Sequence, residues 1–134
     1  MTASKGTYIA RGSQKYQMAT TQVFNIDNGS GTTVDDQLLY CFNDVILVDA
    51  KVVYTEATDT TGAATANVKI GTTAGGAEVV TATNLAVSKA VGDTTALTLN
   101  LNFVAAGTTI RVRHTGRAAT EAGQYYVALR YYYK

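Results

Sequence analysis

The chain has one histidine, His114, and one cysteine, Cys41, in 134 residues. A transition-metal centre draws several imidazoles or thiolates together, so one of each argues against a metal site, and no cofactor is expected. Strand alternation puts His114 on the same face as Ile110 and Val112, at the end of a run, where a rim imidazole with a local hydrogen bond is expected rather than a catalytic base. Cys41 follows Tyr40 in an apolar stretch, and free cysteines are among the most buried residue types, so its expected role is structural. A thiol nucleophile needs a partner base, and nothing in the sequence brings His114 to it. A lone cysteine forms no internal disulfide, which fits synthesis in a reducing cytoplasm.

Carboxylates gather at Asp35-Asp36, Asp44 and Asp49, with Asp59 and Asp93 in later loops. Paired carboxylates can serve glycoside hydrolysis or hold calcium. Aspartates at strand ends and turns also satisfy backbone donors and blunt sheet edges, and no EF-hand spacing is present. Gly71 to Gly76 is glycine-rich, but no helix start or Lys-Ser/Thr pair follows, so it reads as a turn rather than a phosphate cradle. Arg111, Arg113, Arg117 and Arg130 are the candidate basic patch. With a formal net charge of +1 and little aromatic interleaving, they read as a solvated strand face or an interface rim, not a nucleic-acid surface. No catalytic residue is assigned, and the chain is read as not an enzyme.

These groups must be positioned by strands. Threonine and alanine make up nearly a third of the chain, glycine is plentiful, and proline and tryptophan are absent. Leu97, Leu99, Leu101 and Phe103 alternate with polar residues, and Ile110 and Val112 alternate with Arg111 and Arg113 across a Gly107 link, which predicts a hairpin. Ala66, Val68 and Ile70 predict another strand, followed by a short one over 77–80. The β-branched run 45–55 predicts a central strand buried on both sides. Further strands are expected over 22–26, 37–42 and 124–133, and a single helical turn has room at 84–90. About eight short strands between Gly-, Thr- and Asp-rich loops predict an all-β, antiparallel β-sandwich of jelly-roll type.

The first 20 residues differ. They are polar and basic, carrying Lys5, Arg11 and Lys15 and no acidic residue. They read either as a terminus tied down by an edge strand around 7–10, or as an arm that orders on a partner or a neighbouring subunit. The expected organisation is an arm over 1–20 and one domain over 21–134. No run of about 18 apolar residues and no apolar leader core is present, so neither a membrane span nor a membrane partner is expected.

The C-terminal run holds five of the nine tyrosines. Period-two geometry puts Tyr125, Val127, Leu129, Tyr131 and Tyr133 on one face, the core face, and Tyr126, Ala128, Arg130 and Tyr132 on the other. Tyrosine and arginine are enriched at interface hot spots, so Tyr126, Arg130 and Tyr132 are candidate contact residues, with the arm's Lys5, Arg11 and Lys15 as a second group. The alternative is a tyrosine-covered sheet surface without a partner.

The stretch from Asn67 to Val80 (NVKIGTTAGGAEVV), the threonine-rich segment after it and the aromatic end Arg130-Tyr131-Tyr132-Tyr133 resemble small β-sandwich virion proteins of tailed bacteriophages. These are the capsid decoration (cement) proteins and related head or tail fibre domains, and the resemblance spans about residues 45–133. It implies a homo-oligomeric, commonly trimeric module on the outer capsid surface, with the major capsid protein or other virion subunits as partner and no catalytic residues. A carbohydrate- or receptor-binding module of a fibre or tail is the other function it leaves open, with exposed tyrosines to stack on sugars but no tryptophan.

Overall fold

The computed structural model describes residues 15–59, 66–117 and 122–134. It is all-β: among the described residues there are ten strands and no helix. They are β1 (Gln17–Thr20), β2 (Phe24–Asn25), β3 (Thr33–Tyr40), β4 (Val45–Glu56), β5 (Asn67–Gly71), β6 (Val80–Asn84), β7 (Thr94–Leu97), β8 (Phe103–Val104), β9 (Thr109–Thr115) and β10 (Gln124–Tyr133). The first sheet runs β1-β10-β4-β7, with β2 also on β10 and β8 also on β4. The second runs β3-β9-β5-β6, and every pairing in both is antiparallel. The predicted β-sandwich is therefore the observed architecture, with the two-residue β2 and β8 raising the strand number.

Between the sheets lies one apolar core. Tyr125, Val127, Leu129 and Tyr131 of β10 face Val68 and Ile70 of β5 and Ile110 and Val112 of β9, all buried. Both sheets show the period-two burial of half-covered strands. β4 departs from that period. Asp49 pairs with Arg130 and Leu47 with Tyr131, so Val48 is the extra residue of a bulge. The bulge keeps Leu47 and Ala50 both inward although they are three apart, and leaves Ile46, Val48 and Val53 half-covered. β4 is thus central in its sheet, as predicted, but buried on one face only.

The predicted hairpin does not form. β7 and β8 pair with β4 in the first sheet, whereas β9 pairs with β3 and β5 in the second. The turn at Ala105–Thr108 therefore crosses between layers. Residues 98–102 are not a strand either. They bow across the open side of the sandwich, with the Asn100 N–H donating to the Val79 carbonyl (2.7 Å) in the second sheet and the Leu47 N–H donating to the Asn102 carbonyl (2.8 Å) in the first. Alternating leucines cannot distinguish a paired strand from a segment that lays side chains onto the core while its backbone bonds two different sheets. Two shorter expectations also shift: the strand expected at 77–80 begins at Val80, and no helical turn occupies 84–90. The expected edge strand at 7–10 lies outside the described residues, while Gln17–Thr20, placed in the arm by sequence, is the edge strand β1.

Candidate functional site

His114 lies on the inner face of β9, level with Ile110 and Val112 as alternation predicts, but it is fully buried rather than at the rim. Its Nδ1 is 2.6 Å from the Tyr125 hydroxyl and its Nε2 is 3.3 Å from Asn28 Oδ1. Both ring nitrogens thus face neutral polar partners, and the tautomer of the imidazole sets which of them donates. Phe24 stacks on the ring, centroids 5.4 Å apart. Burial pushes the His114 pKa down to about 4 and lifts that of Tyr125 well above its ordinary range. Gly116 is the residue that lets Asn28 close over this group, because a Cβ there would collide with the Asn28 side chain. The network is a polar plug beneath the β2–β3 turn where it bonds Gly116 and Arg117, and the imidazole is sealed from solvent.

The aspartates do not converge on it. Asp35 forms a two-bond ion pair with Arg113 on the outer face of the second sheet (2.6 and 2.8 Å). Asp36 accepts from the Gln22 N–H (2.7 Å), Asp44 from the Ala106 N–H (2.9 Å) and Asp93 from the Ala90 N–H (2.9 Å). Asp59 accepts from the Ala122 N–H (3.0 Å). Each closes a turn or an edge. The Gly71–Gly76 loop has its own anion: Glu78 accepts from the Thr72 N–H and the Thr73 hydroxyl (2.9 Å each). Cys41 is buried, and burial raises its thiol pKa, which makes it a poor nucleophile.

The geometry that gathers exposed apolar and charged groups is the outer face of the first sheet. The β1-β10-β4 register places Met18 beside Arg130 and Arg130 beside Asp49. Arg130 donates twice to Asp49 (3.1 and 2.6 Å), which holds the Asp49 carboxyl below its ordinary pKa. Its guanidinium lies 5.1 Å from the Tyr16 ring centroid, and Tyr16 packs 6.0 Å from Tyr132. Tyr16 and Met18 stay 57% and 63% exposed. Next to this cluster, Ala128 forms the floor of a shallow depression lined by Met18, Asp49, Lys51 and Arg130. Arg130 and Tyr132 are thus brought together, Tyr126 shares their face on the far side of Ala128, and Lys15 is exposed just before Tyr16. Lys5 and Arg11 lie outside the described residues. Tyr16, Met18 and Asp49 were missed, although Tyr16 and Met18 alternate with polar residues in a segment read as an arm.

A second exposed group, also missed, sits at one end of the sandwich. Phe42 is 77% exposed and meets Tyr40 edge-to-face at 4.8 Å, and Phe103 and Tyr133 are exposed at the same end. The turns there are interlocked: Gly107 N–H to the Cys41 carbonyl (2.7 Å), Cys41 N–H to the Thr108 carbonyl (2.9 Å) and Lys134 N–H to the Asp44 carbonyl (2.9 Å).

No protein-family model and no curated protein matches the chain. Among solved structures it is similar to a chain of the "Cyanophage Pam1 capsid asymmetric unit", with a TM-score of 0.61 and 17% identity over 90% of this chain and 86% of that one. At that identity the likeness is one of fold, and it spans nearly the whole of both chains.

Proposed function

We propose that this chain is a structural virion protein, a capsid decoration (cement) protein that binds the outer capsid lattice and stabilises it without catalysing a reaction. The observation that carries this is the near full-length fold overlap with a chain of a phage capsid. The outer face of the first sheet supports it. A partner that covers Tyr16, Met18, Arg130 and Tyr132 removes apolar rings from water around an ion pair that is already formed, so little charge is left unpaired on docking. Lys5, Arg11 and Lys15, the basic residues that precede β1, are the second proposed contact, and the capsid protein of the same genome is the proposed partner.

The test is co-sedimentation of the purified chain with capsids assembled from that capsid protein. Saturable binding that Arg130→Ala and Tyr132→Ala weaken supports the proposal. A chain that stays in the supernatant at all concentrations overturns it. A second reading, a glycan- or receptor-binding fibre module, draws on the protruding Tyr40 and Phe42 rings. A glycan array on which Phe42→Ala and Tyr126→Ala change nothing rules that reading out.

A further inference from the structure

The two sides of the sandwich are finished differently. On one side β1 lies against β3, and Asp36, an acidic residue on the core-facing side of β3, accepts the Gln22 N–H (2.7 Å), so that edge is closed by a charge and by the chain itself. The opposite side ends in β7 of the first sheet and β6 of the second. Neither Thr94-Thr95-Ala96-Leu97 nor Val80-Thr81-Ala82-Thr83-Asn84 contains a charged residue or a proline, the usual devices that stop a bare edge from pairing. Asn100 covers part of β6, through its bonds to the Val79 carbonyl (2.7 Å) and the Thr81 hydroxyl (2.8 Å). Among the described residues no side chain or backbone group bonds the outer edge of β7 in this way. Tyr54 exchanges both backbone bonds with Gly92 and Asp93, so the antiparallel alternation leaves the N–H and C=O of Thr94 and Ala96 pointing away from β4. Both residues are exposed.

From this we infer that the β7 edge accepts a strand from a second copy of this chain, and that the strand is the Thr7-Tyr8-Ile9-Ala10 run of its N-terminal segment. That run is β-prone and uncharged, and it leads into β1, which sits on the side opposite β7. The six residues between Ala10 and Gln17 span up to about 20 Å when extended, several times the ~4.8 Å spacing between paired strands. β1 itself lies against β3, on the side of the sandwich opposite β7. A β1-side to β7-side contact is heterologous, and repeated with a closing rotation it makes a ring of copies. This contact joins copies to one another and is independent of capsid binding, which is read on particles.

Light scattering of the full chain at high micromolar concentration, in parallel with amide hydrogen exchange, tests it. The expected result is a mass that is a multiple of 14.2 kDa. The Thr94 and Ala96 amides should exchange at least about tenfold more slowly in the oligomer than in dilute monomer. Ile9→Pro in the full chain should return both the mass and the exchange to monomer values. Ala96→Pro, which removes an N–H that β4 does not use, should do the same. The exchange comparison needs no variant and stands even if Ala96→Pro fails to fold. A monomer at every concentration overturns the inference. So does an oligomer whose Thr94 and Ala96 amides are unprotected, or protection that appears at Gln17–Thr20 instead.

Discussion

The two faces of β10 carry the same kinds of residue and do opposite work. Inward, Tyr125, Val127, Leu129 and Tyr131 meet the second sheet and are buried. Outward, Tyr126, Ala128, Arg130 and Tyr132 have no layer above them among the described residues and stay half-covered. Both faces hold polar atoms. The inner face satisfies them with a closed pair, phenol to imidazole at 2.6 Å, and the outer face with an ion pair that water also reaches. A buried atom that loses its partner has no water to turn to, whereas an exposed one does. The inner face should therefore govern stability and the outer face recognition.

Leu129→Ala tests the core side most severely. The side chain is fully buried, and truncations of this kind cost about 2–5 kcal/mol through lost transfer energy and the cavity left behind. The urea midpoint should fall with its slope unchanged. An effect under 1 kcal/mol would mean that the two sheets are not packed on each other at β10.

Acid should act nearly as strongly. The unfolded chain protonates its histidine near the ordinary pKa of 6.5, while burial holds His114 in the folded chain near about 4. A depressed folded pKa gives stability that is present above pH 6.5 and lost as pH falls through that window toward 4. At 1.36 kcal/mol per pKa unit the loss approaches about 3 kcal/mol. Denaturation midpoints measured between pH 7 and 4 should track this loss, and His114→Phe should flatten the slope. Tyr125→Phe is the next smaller step. It leaves Nδ1 buried without its hydrogen-bond partner and should cost about 1–3 kcal/mol, read in the same assay.

Much of this division was legible in sequence. β10 falls on the predicted 124–133 range and its two faces are sorted as alternation required, because a period of two needs no knowledge of partners. His114 was assigned to the correct face, but its depth depends on Phe24, Asn28 and Tyr125, which come from three separate segments. Alternation carries no information about which strands pair. Leu97 to Val112 therefore read as a hairpin, although the chain changes sheets at Gly107. The outer-face cluster was half visible. Arg130 and Tyr132 stood out, whereas Asp49 reaches Arg130 only through the β4 bulge, and Tyr16 and Met18 were masked by the polar residues between them.

The smallest expected effect on stability falls on the outer face, and there it separates folding from docking. Asp49→Asn removes the carboxylate charge facing Arg130 while nearly preserving shape. Both partners are more than a third exposed, and pairs of this kind contribute at most about 1 kcal/mol, so the denaturation midpoint should barely move. Docking is different. With Asp49 neutral, the Arg130 guanidinium loses the partner that neutralises it, and a covering subunit would have to desolvate it as an isolated charge. Co-sedimentation with capsids should then weaken by at least about tenfold, the equivalent of about 1.4 kcal/mol, while the midpoint holds. If binding were unchanged while the fold stayed intact, the contact face would have to lie elsewhere. The exposed aromatic end at Tyr40 and Phe42 would be the next surface to mutate.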